Sequence, residues 1–398
     1  MKSNKKAKKV QGQSLPDLSQ RQYIEEVDMM RGLAILGVLF VHATSVPTVT
    51  MEHSSLYPIY IFLNRFGKLG TPTFIFLSSL VLFYTYYVKA LNTQRIRQFY
   101  QKRLLYILVP YLVWSVGYHV LLLTHGFESW QQLQQFDLKA FITDDLAFGN
   151  AYTHLYFVII SIQFYVLFPV LLFALQRMKW LAKVIFFLGI IGQWGFFFYN
   201  HYVLEFPYKG SLFFSYLTYY TLGAVVGVYF ERITAWLQNV SIKGRQYTGT
   251  FKGLVFLTWL GTGLYHVYLY YNAYVYNDWV NTRWYELAWN LYTLVSILFL
   301  YYVAVWLKEK VPAIVKKTVV KLGVASFGIY LVHPMLLYFW RNLGEPSEIM
   351  RYHLYIAGGW AVALFGSWLI VLIVQYLPGS WMIFGQGKKK KRGKQKVL

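Results

Sequence analysis

Ten stretches of the chain are almost wholly apolar: roughly 32–48, 70–88, 104–124, 153–175, 181–200, 211–230, 253–273, 285–307, 322–340 and 353–377. A helix crossing the hydrocarbon core of a bilayer needs about 20 such residues. Even the shortest stretch, the first, is long enough to cross with little tilt. Lipid gives the backbone no hydrogen-bond partners, so these segments are expected as helices and not as strands of an open sheet. The pattern predicts an all-α polytopic membrane protein, a bundle of about ten transmembrane helices with short connections. Basic tails over 1–22 and 378–398 flank the membrane domain, 23–377.

Composition narrows the class. Of 398 residues, 57% are hydrophobic and 14% charged, against roughly a quarter charged in soluble proteins. The chain has no cysteine, which excludes a disulfide scaffold, a thiolate zinc site and a cysteine nucleophile. The net charge of +22 then needs a reason. Sorted along ten spans, the side holding both termini carries 31 Lys/Arg and 6 Asp/Glu, and the other side 7 and 10. The positive-inside rule places both termini in the cytoplasm. The terminal lysine runs read as tails beside anionic headgroups, and no nucleic-acid partner is expected. A basic leader of about 30 residues exceeds the n-region of a signal peptide, so the first span is expected to stay.

Chemistry must come from polar groups within the spans, where they are costly. Carboxylates are missing there, apart from Glu286 at an outer boundary, and no metal site is expected. Histidines are present: His42, His119, His154, His266 and His333, with His353 at an edge. Histidine is the best available base or nucleophile near neutral pH. Arg31 precedes His42 by eleven residues, which at 100° each returns both to one helix face about 16 Å apart. That is the scale of an extended pantetheine arm, with arginine for phosphate and histidine for the thioester. A helix-packing histidine with a snorkelling arginine fits the same spacing.

His333 lies eleven residues into the ninth span, just before Pro334, which denies the carbonyl of Tyr330 its usual donor and predicts a kink. The kink reads as a site wall or as a purely structural bend. His154 at the outer end of the fourth span reads as a wet interfacial histidine. Ser78 and Ser79 fall midway along the second span, as packing residues or, for Ser78, as a ligand contact. Arg95, Arg97, Lys102 and Arg103 form a basic cytoplasmic rim that suits a polyphosphate as well as ordinary charge bias. The outer loop, about 125–152, and the stretch Trp279–Trp284 offer aromatic faces for a sugar-like ligand, or interfacial anchors.

These residues carry a resemblance. Arg31-x10-His42, the segment Gly70 to Ser78 (GTPTFIFLS), Lys102 to Pro110 (KRLLYILVP), His154 to Phe157 (HLYF) and Ile329 to His333 (IYLVH) follow the order seen in the membrane acyltransferase 3 family. The chain especially resembles its branch with the polysaccharide intercellular adhesin membrane protein of Gram-positive bacteria. The resemblance covers about 23–377. It implies a multi-pass protein of the cytoplasmic membrane that moves an acyl group, commonly acetyl from acetyl-CoA, to a hydroxyl of a cell-surface glycan. The CoA thioester is a donor substrate, and no tightly bound cofactor is implied. The family's essential Arg and His map to Arg31 and His42, and its basic loop contact to Arg103. Ser78, His154, Tyr330 and His333 are expected to contact substrate. Two positions depart from the family pattern: Tyr106 replaces a second loop arginine, and Ser79 a glycine. Export of an adhesin-type polysaccharide is the alternative implied for this branch.

Overall fold

The structure, a computed structural model, describes residues 22–242 and 244–385; the lysine-rich parts of both expected tails lie outside them. Each of the ten apolar stretches lies on helix. The long elements are α1 Glu25–Ala43, α2 Tyr57–Phe66, α3 Gly70–Tyr86, α4 Thr93–Leu123, α5 Tyr156–Arg177 and α6 Leu181–Tyr199. Then follow α7 Leu217–Val228, α8 Thr248–Tyr276, α9 Thr282–Lys310, α10 Ala313–Asn342, α11 Ile349–Ala361 and α12 Ser367–Val374. The only pairing of strands among the described residues is a two-residue ribbon at Ser241 and Arg245.

Among the described residues, eight helices are long and apolar enough to cross a membrane, α2–α3 and α11–α12 each counting once. A ninth forms if the bent segment over 213–238 is one span. The expected all-α bundle of about ten spans holds, and two of the ten apolar stretches account for the difference. α8 has the length, but its tyrosines, threonines and His266 dilute its apolar character. The expected sixth span, 211–230, turns through 89° after Val228, where charge returns at Glu231 and Arg232. The first helix starts earlier than expected, with Glu25, Glu26 and Asp28 in its first turn, where the helix dipole favours acids. It ends at Ala43, so His42 lies in its last turn.

Two large apolar cores hold the bundle, beside a smaller cluster of Leu269, Ala273, Tyr285 and Ala288 between α8 and α9. One joins α3, α5, α7 and α9 around Leu80, Phe83, Phe168, Tyr220 and Tyr292. The other joins α1, α4, α10 and the last helices around Ile35, Leu39, Tyr118, Leu331 and Leu364. Outer faces keep apolar residues exposed, such as Val170 on α5, Ile191 on α6 and Leu369 on α12. Lipid covers such faces without penalty, so they need no protein partner. Small residues bring backbones together: a Cβ on Gly37 would stand 2.8 Å from the carbonyl oxygen of Gly67. That close approach presses α1 against the α2–α3 junction, next to His42.

Candidate functional site

Three histidines from distant parts of the chain meet at the end of α1. The ring of His42 lies 5.0 Å from that of His333 on α10, and His333 lies 5.8 Å from His154, just before α5. His154 and His333 are fully buried, which corrects the reading of His154 as a wet interfacial residue. Burial follows from Tyr118, Tyr152 and Tyr330, whose rings enclose it. Nδ1 of His333 is 3.0 Å from the carbonyl oxygen of Ile329. A carbonyl only accepts, so Nδ1 carries the proton, and in the neutral ring Nε2 is left as an acceptor. That Nε2 and both nitrogens of His154 have no hydrogen-bond partner.

The backbone around them is held open. Pro334 removes one donor from α10, and Tyr118 of α4 supplies a second break. Its hydroxyl donates to the carbonyl of Leu331 at 2.7 Å and accepts from the amide of Met335 at 3.1 Å. A hydroxyl thus stands where a direct helical hydrogen bond would form. Tyr330, one turn earlier, donates its hydroxyl to the carbonyl of His154. Arg341, at the far end of α10, donates to the carbonyl of His42 at 2.6 Å and to Ser45 Oγ at 3.2 Å. A guanidinium on the last carbonyls of α1 complements the helix C-terminus and fixes the backbone that carries His42.

His42 and Tyr330 also line a cavity of about 700 Å³, well within the range of small-molecule sites. Its wall is built by the end of α1, the α2–α3 junction, the end of α8 and the start of α9. Val38 and Val41 are apolar; Lys68, Lys209, His266 and Glu286 are ionisable; Tyr270, Tyr285, Trp279 and Trp289 are aromatic. Of the two expected sugar-facing regions, Trp279 lines this cavity. The tip of the 125–152 loop does not: Trp130 is exposed and stacks on Phe127. His119, also on that side, pairs through Nδ1 with Asp145 at 2.6 Å.

The remaining expected residues stand apart from the histidine cluster. Arg31 lies on α1 with His42, and its Nη1 is 2.8 Å from Asp28 Oδ1. Arg103 is half-buried on α4. The serine pair divides: Ser79 is buried and donates to the carbonyl of Tyr220 at 2.6 Å, where α3 crosses α7. Ser78 reaches only Tyr165, at 3.4 Å. Neither Arg31, Arg103 nor Ser78 lines the cavity.

The acyltransferase domain family matches the chain over residues 24–377. The chain belongs to the acyltransferase 3 family. Membership makes it a multi-pass membrane protein of acyltransferase type. Among curated proteins it is similar to two chains called probable poly-beta-1,6-N-acetyl-D-glucosamine export protein, from Staphylococcus aureus strains Mu50 and MRSA252. Each is 24% identical, over 80% of this chain and 85% of the relative. No solved structure matches.

Sequence reasoning overlooked Tyr118, Arg341, Arg65 and Lys68. Tyr118 had no local signal, since its partners are 213 and 217 residues away. Lys68 had one: a lysine directly before the helix-opening segment Leu69 to Pro72, on the side poor in lysine.

Proposed function

We propose that this protein transfers an acyl group, acetyl in the simplest case, from acyl-CoA to a hydroxyl of an envelope glycan. The observation that carries this is the position of His42, on the wall of an aromatic, polar cavity and in ring contact with the buried His333. Both termini face the cytoplasm on this reading, as the charge asymmetry requires. Arg31 and Arg103 then lie towards the donor side and steady the phosphates of CoA, while the cavity opens to the acceptor side. Eleven residues of α1 separate Arg31 from His42, about 16 Å along the axis, and the pantetheine arm bridges that distance.

His42 acts as the base. It takes the proton of the acceptor hydroxyl as that oxygen attacks the thioester carbonyl. The carbon–sulfur bond breaks, and the departing thiolate takes the proton to give free CoA. Base catalysis of this kind contributes about 10²–10⁴-fold. His333 and Tyr330 position the reacting groups, and the Arg341 contact holds His42 in place. Replacing His42 with alanine is the test. O-acyl esters on surface glycans should disappear while the protein stays at its normal level; unchanged esters would refute the assignment.

The name of the two relatives favours a second reading, export of a polysaccharide. That reading expects His42→Ala to reduce the amount of surface polymer. Acyl transfer expects the polymer to persist without its esters.

A further inference from the structure

One part of the cavity wall is cationic and lacks a counter-ion. Arg65 on α2 is 8% exposed. Its guanidinium centre lies 3.9 Å from the centroid of the Tyr270 ring, and its Nη2 donates to the hydroxyl of Tyr274. Three residues on, Nζ of Lys68 lies 5.8 Å from the same Tyr270 centroid. His266, one turn before Tyr270 on α8, is 1% exposed, and neither of its ring nitrogens has a partner. The buried hydroxyl of Tyr285 has none either. Lys68, His266, Tyr270 and Tyr285 all line the cavity together with His42.

Buried charges are ordinarily paired or otherwise compensated. Among the described residues, no carboxylate forms an ion pair with Arg65 or Lys68. The faces of tyrosine rings compensate a cation only in part. The cavity's own acid, Glu286, is already engaged, by Lys209 at 3.9 Å and Asn290 Nδ2 at 3.0 Å. What the site lacks is therefore an anion, with unused polar atoms on His266 and Tyr285 placed to bond it.

We infer that Lys68, backed by Arg65 and flanked by His266 and Tyr285, binds an anionic group, a carboxylate or a phosphate, carried by the acceptor beside His42. This rests on the acyltransferase reading for the word acceptor, and it narrows the acceptor to an acidic or phosphate-bearing glycan. Lys68 meets the anion directly. Arg65 raises the local positive potential from behind Tyr270.

The test is a binding titration by calorimetry, with the full chain in nanodiscs of uncharged phosphatidylcholine. The probes are glucose 1-phosphate, glucuronate, glucose and acetyl-CoA. At least one of the two sugar anions should bind, and glucose at least tenfold more weakly. Binding of glucose 1-phosphate alone assigns the group as phosphate, binding of glucuronate alone as carboxylate, and binding of both as either. Lys68→Met should weaken the anion by about tenfold or more, as expected for losing one partner of a close charge pair, and Lys68→Arg should retain it. Equal binding of glucose and the anions, or no anion binding, overturns the inference without any variant. So does a Lys68→Met defect confined to acetyl-CoA. His42→Ala separates the two claims: lost transfer with intact anion binding supports both. Retained transfer with intact anion binding refutes the base and leaves the anion site standing.

Discussion

Two of the clusters of buried polar side chains in this bundle are satisfied to very different degrees. Between α6, α7 and α9, Gln193 donates to Asn290 Oδ1 at 2.7 Å and accepts from the amide of Thr218 at 3.0 Å. Tyr219 donates to Asn290 at 2.8 Å and shares a 2.6 Å bond with Thr293. Asn290 completes its valence on Glu286. At the end of α1, by contrast, His154 has both ring nitrogens free of hydrogen bonds and His333 has one. Buried polar groups are nearly always bonded, so the amide network has the form of a helix clamp. The histidine cluster instead has open valences beside a cavity, the form expected of groups that meet a reactant.

If that contrast is right, mutations in the two clusters should separate activity from stability. The largest effect is expected for His42→Ala, which should lower acyl transfer by about a hundredfold or more with the melting temperature in detergent essentially unchanged. Gln193→Leu should do the reverse. It leaves the Thr218 amide unpartnered at a cost of about 1–3 kcal/mol, seen as a lower unfolding midpoint, while transfer per folded molecule stays near wild type. Tyr118→Phe is intermediate, because it removes the hydroxyl inserted between Leu331 and Met335. Transfer should fall about tenfold through misplacement of His333, read as a lower kcat at nearly constant melting temperature. Ser78→Ala should be the mildest, within about 0.5 kcal/mol of wild type in stability and with transfer unaltered. A strong defect from Ser78→Ala would bring that serine back as a donor contact.

The bundle was legible in the sequence because each span must carry about 20 apolar residues in one run, a local property. Legibility failed where local composition and long-range packing part company. α8 is helical throughout, yet it is less apolar than a typical span: His266 and Tyr270 face the cavity, while Tyr265, Tyr268 and Tyr276 are exposed on its outer side. The turn after Val228 escaped notice because the run of apolar residues simply continues into it. At the site, the spacing of Arg31 and His42 was readable because one helix carries both. The depth of His154 was not, since its enclosing rings come from α4 and α10. The same holds for Arg65, whose tyrosine partners lie about 200 residues along the chain on α8. Pro334 marked a lost helical hydrogen bond in α10, but the hydroxyl that bonds the neighbouring backbone, that of Tyr118, belongs to another helix.

The central claim is that His42 performs acyl transfer at the junction of the histidine cluster and the cavity. It is tested most directly by incubating the purified full chain in nanodiscs with acetyl-CoA labelled in the acetyl group and an oligosaccharide acceptor, and counting label in alkali-labile ester. The account predicts labelled ester and free CoA in equal amounts from the wild type, and neither above background from His42→Ala. Ester formation by His42→Ala at the wild-type rate would contradict it.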